Sequence, residues 1–357
     1  MLGSIGSQYA WKSRGSFVVK VFAPVNIAWI KYMGKTEGAP TNSSFSMTLK
    51  HLGTETQIRK ISNSDHLSFS YSASGYVPPK TGQEKSYRFL MNAAPWSECL
   101  SQFGFQNQAT TGTFEVTTLN NVPAGTGIAT SASGFAALTL AWFGILVGDR
   151  YPEWFSLYRS SPKLRAAIAR VSALGSGSSC RSFGGPFVEW DPKNGVSEFH
   201  DGIQDFTDFV LLIDSETKEV SSSEAHERVK TSPLFEGRVE RADVRLTQVK
   251  NALREGHLQV LTKTVLDEAI DMHELFHTSE PPFSYWREQS RVWINRLRNQ
   301  EAGLPTPNGI LTLDAGANVH LFVPTHEAQV WESYLGTVDP SLRFLSDQSG
   351  KGAFYHD

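Results

Sequence analysis

Alternation of hydrophobic and polar residues is the clearest pattern in the first third of the chain. β-Branched and aromatic residues at alternating positions predict strands, here over residues 17–22, 47–49, 54–60, 66–71 and 113–119. The segment 23–26 contains Pro24 and is predicted to end the first strand. After a polar loop at 76–84, apolar residues at helical spacing predict helices over 85–103, 134–147 and 153–174.

The second half of the chain is predicted to be rich in helices. Helical spacing covers residues 237–256, 257–277, 285–302 and 325–335, and strands are predicted at 187–190, 209–213, 309–313, 319–323 and 343–346. Because strands and helices follow one another without regular alternation, the pattern favours an α+β fold over a doubly wound sheet. Turn-forming residues are concentrated at 191–205, where we place a domain boundary between residues 1–203 and 204–357.

Composition and charge narrow the function without identifying it. Of 357 residues, 40% are hydrophobic and 19% are charged, as in ordinary globular proteins. The net charge of -3 does not indicate a nucleic-acid partner, which would favour a basic chain. The only cysteines, Cys99 and Cys180, are far apart and suit a reducing compartment. The beginning of the chain lacks the apolar core of a secretion signal, and no apolar stretch reaches the ~20 residues of a membrane helix. We therefore expect a cytoplasmic protein.

A loop rich in glycine, alanine and serine lies at 120–134, between a predicted strand and an apolar helix. Glycines let main-chain N–H groups turn towards phosphate oxygens, and the start of a helix adds unpaired donors and the positive end of its dipole. The candidate ATP-binding residues are Asn121, Pro123, Ala124, Gly125, Thr126, Gly127, Ile128, Ala129, Thr130, Ser131 and Ser133. The loop lacks the lysine of the GxxxxGK[ST] motif. A turn of small residues that lets a helix pack on a sheet is an equally good interpretation of the loop alone.

Two lysines, Lys31 and Lys35, lie one helical turn apart in the segment 23–35, which is followed by a segment rich in serine at 42–46. Two ammonium groups on one face would hold an anionic substrate. Taken alone, the pattern is better explained by two lysines on a solvated turn.

Two further segments carry candidate catalytic side chains. The glycine- and serine-rich segment 175–182 contains Arg181, whose guanidinium group can hold a carboxylate with two parallel hydrogen bonds. A flexible linker is the alternative. Asp314 lies among small residues in the segment 313–318, where a carboxylate can reach a substrate hydroxyl as a general base. An ordinary Asp-Ala-Gly turn is the alternative there.

In this order, the four segments resemble those of the mevalonate diphosphate decarboxylases, which belong to the GHMP kinase superfamily. The family shows segments of the form APVNIAxxKYWGK, NSSxS, NNxPxxxGxASSAxG, GSGSxCRS and DAGxN. The matching segments here are 23–35, 42–46, 120–134, 175–185 and 314–318. Residues 273–282 match the family's HxxxxDTxPP segment loosely. The resemblance runs from about residue 17 to the end of the chain.

The resemblance implies two lobes, an N-terminal α+β lobe that binds the nucleotide and a C-terminal ferredoxin-like lobe. It also implies a homodimer that uses ATP and Mg²⁺ to decarboxylate mevalonate 5-diphosphate to isopentenyl diphosphate. Asp314 would deprotonate or orient the tertiary hydroxyl, Lys31 would hydrogen-bond at the same centre, and Arg181 would hold the carboxylate that leaves. The residues that would hold the rest of the substrate are Tyr32, Lys35, Ser176, Ser178 and Ser222. No site of protein metal ligands alone is implied, and Ser131 is the candidate contact for the magnesium that accompanies ATP.

Two departures from the family pattern affect the expected packing and substrate. Met33 stands where the family has tryptophan, which we interpret as a packing change. Ser223 stands where the family's VSSRxGM segment has an arginine, and losing that cation should weaken the hold on a diphosphate. We therefore hypothesise that the substrate is phosphomevalonate, which would give isopentenyl phosphate, unless Arg228 or Lys230 replaces the arginine. The catalytic lysine and aspartate are both present, which favours decarboxylation over a GHMP kinase that only phosphorylates its substrate.

Two alternatives lie outside this chemistry. The pentapeptide HELFH at 273–277 matches HExxH, in which two histidines bind zinc and Glu274 would act as a base. Glu301 lies at a conceivable distance for a third ligand but has no supporting motif, so a zinc metalloprotease is a remote alternative. A regulatory protein that senses ATP or phosphate is the non-enzymatic alternative. Degraded catalytic positions would favour it, but the lysine, arginine and aspartate are intact.

Overall fold

The computed structural model describes residues 17–36, 39–109, 111–122, 130–203, 205–214 and 219–356. The strands are β1 (Val18–Ile30), β2 (Lys35–Thr36), β3 (Ala39–Pro40), β4 (Ser44–Ser62), β5 (Leu67–Tyr71), β6 (Gly112–Asn120), β7 (Phe187–Asp191), β8 (Gly195–Phe199), β9 (Phe206–Leu212), β10 (Ile310–Thr312), β11 (Val319–Pro324), β12 (Arg343–Gln348) and β13 (Phe354–Tyr355). The helices are α1 (Lys80–Met91), α2 (Ala93–Gln102), α3 (Thr130–Leu146), α4 (Tyr151–Ser160), α5 (Pro162–Gly175), α6 (Ser222–Arg228), α7 (Arg238–Glu255), α8 (Leu258–His277), α9 (Glu288–Arg298) and α10 (Ala328–Val338).

A seven-stranded sheet and helices α1 to α5 form what we call the N-terminal lobe. The strand order is β13-β1-β4-β6-β5, with β7 paired to another part of β4 and β8 paired to β7. Neighbours are antiparallel except for β5 and β6. The pairing of β1 with β4 shifts register between Pro24 and Asn26. Such a bulge bends a strand, and the bent end of β1 leads directly to Lys31.

Helix α3 forms the centre of the N-terminal lobe. Its sequence is apolar on almost every side, which is the pattern of a helix buried on all faces. It packs against β1 and β4 on one side and against α4 and α5 on the other. Its side chains Trp142 and Phe143 are buried with Trp154 of α4 in one continuous core. This packing holds α3 in place, and its first turn follows directly on the predicted phosphate-binding loop.

A four-stranded antiparallel sheet and helices α6 to α10 form what we call the C-terminal lobe. The strand order is β10-β11-β9-β12. Helices α7 and α8 pack on each other, and α8 also contacts β10 and β1. Trp29 of β1 lies in the same buried cluster as Leu261 of α8 and Phe322 of β11. This shared core joins the lobes beside the end of β1, and the α+β prediction is confirmed.

Several element boundaries differ from the sequence prediction for local reasons. β1 continues through Pro24, because the register shift accommodates a residue that has no N–H to donate. Residues 47–60 belong to the single strand β4. The helix predicted over 153–174 is divided at Ser161, whose hydroxyl accepts a hydrogen bond from the N–H of Leu164 at 3.2 Å, and Pro162 begins the next helix.

Other elements lie where loops or single helices were predicted. The segment 85–103 is divided between α1 and α2, and α1 begins inside the predicted polar loop 76–84. Strand β8 lies inside the turn-rich segment 191–205. The sequence did not indicate α6 or β13. Both are short, and a short element carries too few periods of a hydrophobic pattern to be recognised.

The last strand returns to the N-terminal lobe. Tyr355 pairs with Val21 in β13 and β1. Its hydroxyl accepts a hydrogen bond from Trp154 Nε1 at 2.7 Å and donates to the carbonyl of Leu140 at 2.8 Å. The C-terminal residues therefore complete the core of the other lobe, and the boundary after residue 203 stays a prediction.

The length and hydropathy of the described helices were compared with those of a membrane span. No single helix among them is both long and apolar enough to cross a membrane, and one pair, Thr130–Leu146 with Gly148–Ser160, meets the criteria only together across a bend of 109°.

Candidate active site

Lys31 and Asp314 meet where the two lobes join. Lys31 follows the end of β1 in the N-terminal lobe, and Asp314 lies just after β10 in the C-terminal lobe. Lys31 Nζ donates a hydrogen bond to Asp314 Oδ1 at 2.6 Å. The lysine side chain is 2% exposed and the aspartate side chain 27% exposed, so the contact is open on the side of the carboxylate. The two residues predicted to share one reacting centre are in direct contact.

Burial and opposite charge set the ionisation of this pair. Burial lowers the pKa of Lys31, and the carboxylates of Asp314 and Glu268 act against that shift. Burial alone would raise the pKa of Asp314, but Lys31, His320 and Arg181 together hold it below its usual value. The pair presents a carboxylate acceptor beside an ammonium donor, and this is the arrangement that orients a hydroxyl group.

Arg181 lies in the 3₁₀ segment Gly177–Phe183 and is only 4% exposed. Its guanidinium group donates to the side chains of Asn26 at 3.2 Å, Ser46 at 3.1 Å and Ser44 at 2.7 Å. All three partners are uncharged, and no carboxylate of the described residues forms an ion pair with this guanidinium. A buried cation without a carboxylate counter-ion is suited to bind one from a ligand.

Tyr32 and His226 form a stacked pair of rings next to Lys31, with centroids 5.0 Å apart. His226 Nδ1 accepts a hydrogen bond from the N–H of Gly34 at 3.1 Å, so the neutral ring carries its proton on Nε2. Burial and the nearby Lys35 lower the pKa of His226 to about 4. Burial raises the pKa of Tyr32 to about 12. Both rings are therefore uncharged near neutral pH, and Lys35 supplies the positive charge beside them.

Ser176 and Ser178 lie on the segment that connects α5 to Arg181. Ser176 Oγ is 3.5 Å from Ser131 Oγ, at the start of α3. A Cβ atom on the intervening Gly177 would lie 2.4 Å from the hydroxyl of Tyr32, so glycine is required for this close approach. The segment thus links the start of α3 to the Tyr32 ring.

The predicted ATP loop is described only at its two ends. Asn121 donates through Nδ2 to the carbonyl of His51 at 2.6 Å and accepts the N–H of Gly53 at 2.8 Å, so its side chain anchors the loop to β4. Ser133 is buried. Thr130 and Ser131 begin the first turn of α3, where Thr130 is partly exposed and Ser131 is exposed. The other predicted residues lie outside the described residues: Pro123, Ala124, Gly125, Thr126, Gly127, Ile128 and Ala129.

Lys85 of α1 is a cation that the sequence did not single out. Its Nζ lies 5.0 Å from the ring centroid of Phe135 on α3. Burial lowers the pKa of Lys85, and the positive charge of Lys35 lowers it further. Lys35 and Lys85 therefore act on one another electrostatically.

Two family models together cover most of the chain. The model of the diphosphomevalonate decarboxylase-like N-terminal domain matches residues 23–199, and that of the mevalonate 5-diphosphate decarboxylase C-terminal domain matches residues 209–349. The chain belongs to the diphosphomevalonate decarboxylase family.

Individual members of the family agree with this assignment. The diphosphomevalonate decarboxylase of Ganoderma lucidum is 28% identical over 330 residues, which are 85% of this chain and 77% of that protein. The mevalonate diphosphate decarboxylase structure from Legionella pneumophila is 29% identical, with a TM-score of 0.74 over 92% of this chain and 100% of that one. The structure of MDDEF in complex with MVAPP, AMPPCP and magnesium shares the fold, with a TM-score of 0.77 at 24% identity over 96% of this chain and 100% of that one. The predicted two-lobed GHMP kinase fold is confirmed.

The position at which we predict that the family's arginine is missing lies in α6. Ser223, at the position of the family's arginine, is exposed. Arg228 is bound to Glu224, and Lys230 Nζ lies 2.7 Å from Glu227. Both candidate substitutes for the missing arginine are therefore paired with carboxylates of their own segment.

Met33 and Ser222 are two other residues that the sequence analysis singled out. Met33, in place of the family's tryptophan, is buried in a cluster with Met272 and Phe276, which supports the interpretation as a packing change. Ser222 is exposed as the first residue of α6, and within the described part of the chain no hydrogen bond joins its side chain to the site.

The HELFH sequence forms the last turns of α8 and is packed among aromatic rings. His273 is completely buried and stacks on Trp286 with centroids 5.0 Å apart, and burial lowers its pKa to about 3. His277 Nε2 is hydrogen-bonded to Ser284 Oγ at 3.1 Å. Within the described ranges, no group of three His, Cys, Asp or Glu side chains is placed to hold a metal ion. The burial of HELFH among aromatic rings argues against a zinc protease, and so does the membership of the chain in the diphosphomevalonate decarboxylase family.

Sequence reasoning did not assign roles to several residues of the site, which are Asn26, Ser44, Ser46, Lys85, His226, Arg238 and Glu268. Asn26, Ser44 and Ser46 lie inside segments that match the family, so these motifs could have indicated that the three residues belong to the site. Glu268 lies on the apolar face of α8 with Val265 and Met272. A charged residue at such a position is the pattern that would have indicated a buried ionic contact.

Proposed function

We propose that the chain catalyses the ATP-dependent decarboxylation of mevalonate 5-diphosphate to isopentenyl diphosphate, with release of ADP, phosphate and carbon dioxide. The observation that carries the proposal is the contact of Lys31 with Asp314 at 2.6 Å. The same site contains the buried Arg181, which has no carboxylate partner among the described residues. These groups match the three requirements of the reaction, which are to orient a hydroxyl, stabilise the charge on it and hold a carboxylate.

In the first step, the tertiary hydroxyl oxygen of the substrate forms a bond to the γ-phosphorus of ATP, and the bond from that phosphorus to the ADP oxygen breaks. Asp314 accepts the hydroxyl proton, while Lys31 donates a hydrogen bond to the same oxygen. The pKa of Asp314 is held below its usual value, so it is a weak base. A weak base is adequate, because phosphoryl transfer passes through a loose transition state in which the nucleophile needs positioning more than early deprotonation.

In the second step, the new phosphate group leaves with the electron pair of its C–O bond. The electrons of the bond to the carboxylate carbon form the double bond, and carbon dioxide departs. Arg181 holds the carboxylate in the orientation that aligns these bonds, and its neutral partners Asn26, Ser44 and Ser46 keep the guanidinium in place. Preorganised charge of this kind supplies stabilisation without rearrangement at the moment of reaction.

The residues at the start of α3 fit the phosphates of ATP. Thr130 and Ser131 lie in its first turn, which carries no acidic side chain and presents unpaired N–H groups. Ser131 is the side chain placed to contact magnesium, which would neutralise phosphate charge when bound with ATP. Lys85 adds an ammonium group on the side of α1. The side chains of Asn121 and Ser133 support the loop. The fold relative MDDEF was solved with AMPPCP and magnesium.

A cavity of about 480 Å³ in the N-terminal lobe is the candidate site for the nucleotide base. It lies between β5 and α1 and is lined by Phe69, Tyr71, Tyr87 and Val116, among others. Aromatic side chains with a few polar groups are typical of pockets for planar ligands. Val116 belongs to β6, the strand that leads into the ATP loop. The strand that precedes the proposed phosphate site therefore also borders this cavity.

The distal phosphates of the substrate are assigned to Lys35, Tyr32, Ser176 and Ser178. Their placement near the stacked rings supports this assignment. Ser222 is retained from the family pattern, without a contact in the described structure. Phosphomevalonate is the second candidate substrate, and one observation favours it. Ser223 supplies no cation, and both Arg228 and Lys230 are already bound to carboxylates.

Location and assembly belong to the same proposal. Both cysteines are buried free thiols, and burial raises the pKa of each to about 12. Unreactive free thiols suit a reducing cytoplasm. A homodimer is expected from the family resemblance, and light scattering of the purified chain tests it.

The proposal is tested by measuring ADP and carbon dioxide in the same reaction. The chain is supplied with ATP, Mg²⁺ and either mevalonate, its 5-phosphate or its 5-diphosphate. One carbon dioxide per ADP with the diphosphate is the expected result. Turnover mainly with the 5-phosphate would select the second candidate. ADP without carbon dioxide would identify a kinase, and no ADP with any of the three would contradict the proposal.

A further inference from the structure

The main chain of Lys31 is held by charged side chains of the C-terminal lobe. Its N–H donates to Glu268 Oε1 at 2.9 Å, and its carbonyl accepts from a terminal guanidinium nitrogen of Arg238 at 2.9 Å. Asn42 Nδ2 donates to the same carbonyl, also at 2.9 Å. Lys31 follows the last residue of β1, where the ladder of strand hydrogen bonds has ended. Its peptide groups therefore need other partners, and here those partners are mostly ionic.

Glu268 and Arg238 form a buried ion pair. Both side chains are completely buried. Arg238 donates to both carboxylate oxygens of Glu268, one of these contacts being 3.0 Å long. Arg245 adds a third guanidinium hydrogen bond to Glu268 at 3.0 Å, and Asp271 accepts from Arg238 at 3.0 Å. The charges are thus compensated within a network carried entirely by α7 and α8.

Stability alone does not account for such a pair. The cost of removing two charges from water often exceeds the attraction between them, and a well-packed apolar pair of similar size is often as stable or more stable. What the pair does that an apolar pair cannot do is accept the N–H of Lys31 and donate to its carbonyl. A purely structural role would leave these two contacts incidental.

The position of the pair makes the contacts consequential. Lys31 belongs to the N-terminal lobe, whereas Glu268, Arg238 and Asp314 belong to the C-terminal lobe. Glu268 fixes the lysine main chain to the same lobe that supplies the aspartate at its Nζ. Placement of the ammonium relative to the carboxylate is then determined by two groups of the same lobe. Misplacement of a reacting group by about 1 Å can cost as much as 10²-fold in rate.

We propose that Glu268, itself held by Arg238, is a positioning residue for Lys31 that fixes its main chain and helps to keep its ammonium group charged. The inference rests on the proposed decarboxylation, because it assigns a means of placing the lysine used in that reaction. The groups that act on the Lys31 ammonium from the surrounding elements are Asp314, Glu268, Arg181 and His273. Of the two carboxylates, only Glu268 also contacts the lysine main chain.

The test is Glu268→Gln, which keeps the size of the side chain and removes its charge. We expect kcat to fall about 10- to 100-fold, because the amide has one neutral acceptor oxygen where the carboxylate has two charged ones, and its NH2 group must face either Arg238 or the Lys31 N–H. Glu268 raises the pKa of Lys31 against burial. Its neutralisation should therefore lower that pKa and move the alkaline limb of the kcat profile to lower pH. A structural role would reduce the amount of folded protein without moving this limb.

Two further variants complete the test. Glu268→Asp keeps the charge but shortens its reach, so kcat should fall while the alkaline limb stays in place. This variant decides the question if Glu268→Gln does not fold. Glu327→Gln is the matched control, because Glu327 is a carboxylate of the C-terminal lobe that accepts hydrogen bonds from Thr306 and Asn308, away from the site. Wild-type kcat and an unmoved limb in both Glu268 variants would overturn the inference.

A readout without turnover separates this inference from the proposed function. The lysine ammonium groups of the whole protein, free of substrate, are titrated by NMR with ¹⁵N-labelled lysine, and Lys31 is assigned by its loss in Lys31→Arg. A lower pKa of Lys31 in Glu268→Gln supports the inference even if no phosphorylated mevalonate is decarboxylated. An unchanged pKa contradicts it even if the wild-type protein decarboxylates the diphosphate.

Discussion

Lys31 and Asp314 come from different lobes and meet at 2.6 Å between Nζ and Oδ1. Neither residue occupies this position through local sequence, because 283 positions separate them in the chain. The shared core around Trp29 and the ionic contacts of Glu268 hold the end of β1 against the C-terminal lobe. The reacting centre is thus a product of how the lobes are joined.

The alkaline limb of the activity profile should report Lys31. Its pKa is lowered by burial, so kcat/KM should begin to fall below the pH at which an exposed lysine titrates. The pKa of Asp314 is also lowered, so this carboxylate should supply no acid limb above about pH 5. In Lys31→Arg, whose guanidinium stays charged, the alkaline limb of the residual activity should move to higher pH. An unmoved limb would assign it to another group.

Replacement of Arg181 by lysine should reduce kcat/KM by about 10- to 100-fold, because one charge remains but the paired hydrogen bonds to a carboxylate are lost. The lysine also lacks the contacts of Arg181 Nε with Asn26 and Ser46. Steady-state kinetics with mevalonate 5-diphosphate measures the effect. Arg165→Lys, which changes a partly buried arginine paired with Glu198, is the control. Wild-type kinetics in Arg181→Lys would remove this residue from the site.

Restoring the family's cation by Ser223→Arg should lower KM for the diphosphate by about two- to fivefold, since an exposed ion pair contributes ~1 kcal/mol or less. KM for the 5-phosphate should change less, because its single phosphate lies nearer the reacting carbon. Competition between the two substrates gives the ratio directly. If the ratio does not change, α6 does not contact the distal phosphate.

Gly177→Ala should raise KM about tenfold or more. The new Cβ atom would lie 2.4 Å from the hydroxyl oxygen of Tyr32 and would push that hydroxyl out of its position. Gly336→Ala is the matched control, because a Cβ atom there meets nothing within 4 Å and helix α10 gains from alanine. Kinetics and thermal unfolding of both variants are compared. An equal KM in the two would mean that Tyr32 does not contact the substrate.

Removal of zinc should leave carbon dioxide release unchanged, whereas an excess of EDTA over Mg²⁺ should abolish it. The reason is that HELFH is packed around Trp286, and His273 is buried and neutral. Metal analysis of the purified protein accompanies the assay. Stoichiometric zinc together with activity lost on its removal would contradict this assignment.

The sequence predicts the groups that carry the chemistry better than it predicts what holds them. Lys31, Arg181 and Asp314 stand in motifs with strong residue requirements, so each is recognisable without its neighbours. Glu268 and Arg238 follow no motif, and their contact depends on how α7 and α8 pack at the end of β1. Tertiary packing of this kind has no period along the chain.

The same limit explains the errors in the fold. Most strands and helices are predicted because their hydrophobic patterns are long. The continuation of β1 through Pro24 depends on a bulge against β4, and the return of β13 depends on a partner at the other end of the chain. Both are long-range pairings, which local propensity does not determine.

The most direct test of the central claim is Asp314→Asn, measured for carbon dioxide release and for substrate binding in parallel. The amide keeps the size of the side chain but cannot accept the hydroxyl proton. We expect kcat to fall about 10²- to 10⁴-fold. The Kd of mevalonate 5-diphosphate, measured by calorimetry, should change only severalfold. Asp339→Asn, at a partly exposed turn away from the site where the aspartate accepts the N–H of Ser341, is the control. A kcat within tenfold of the wild-type value would contradict the role of Asp314 and with it the proposed mechanism.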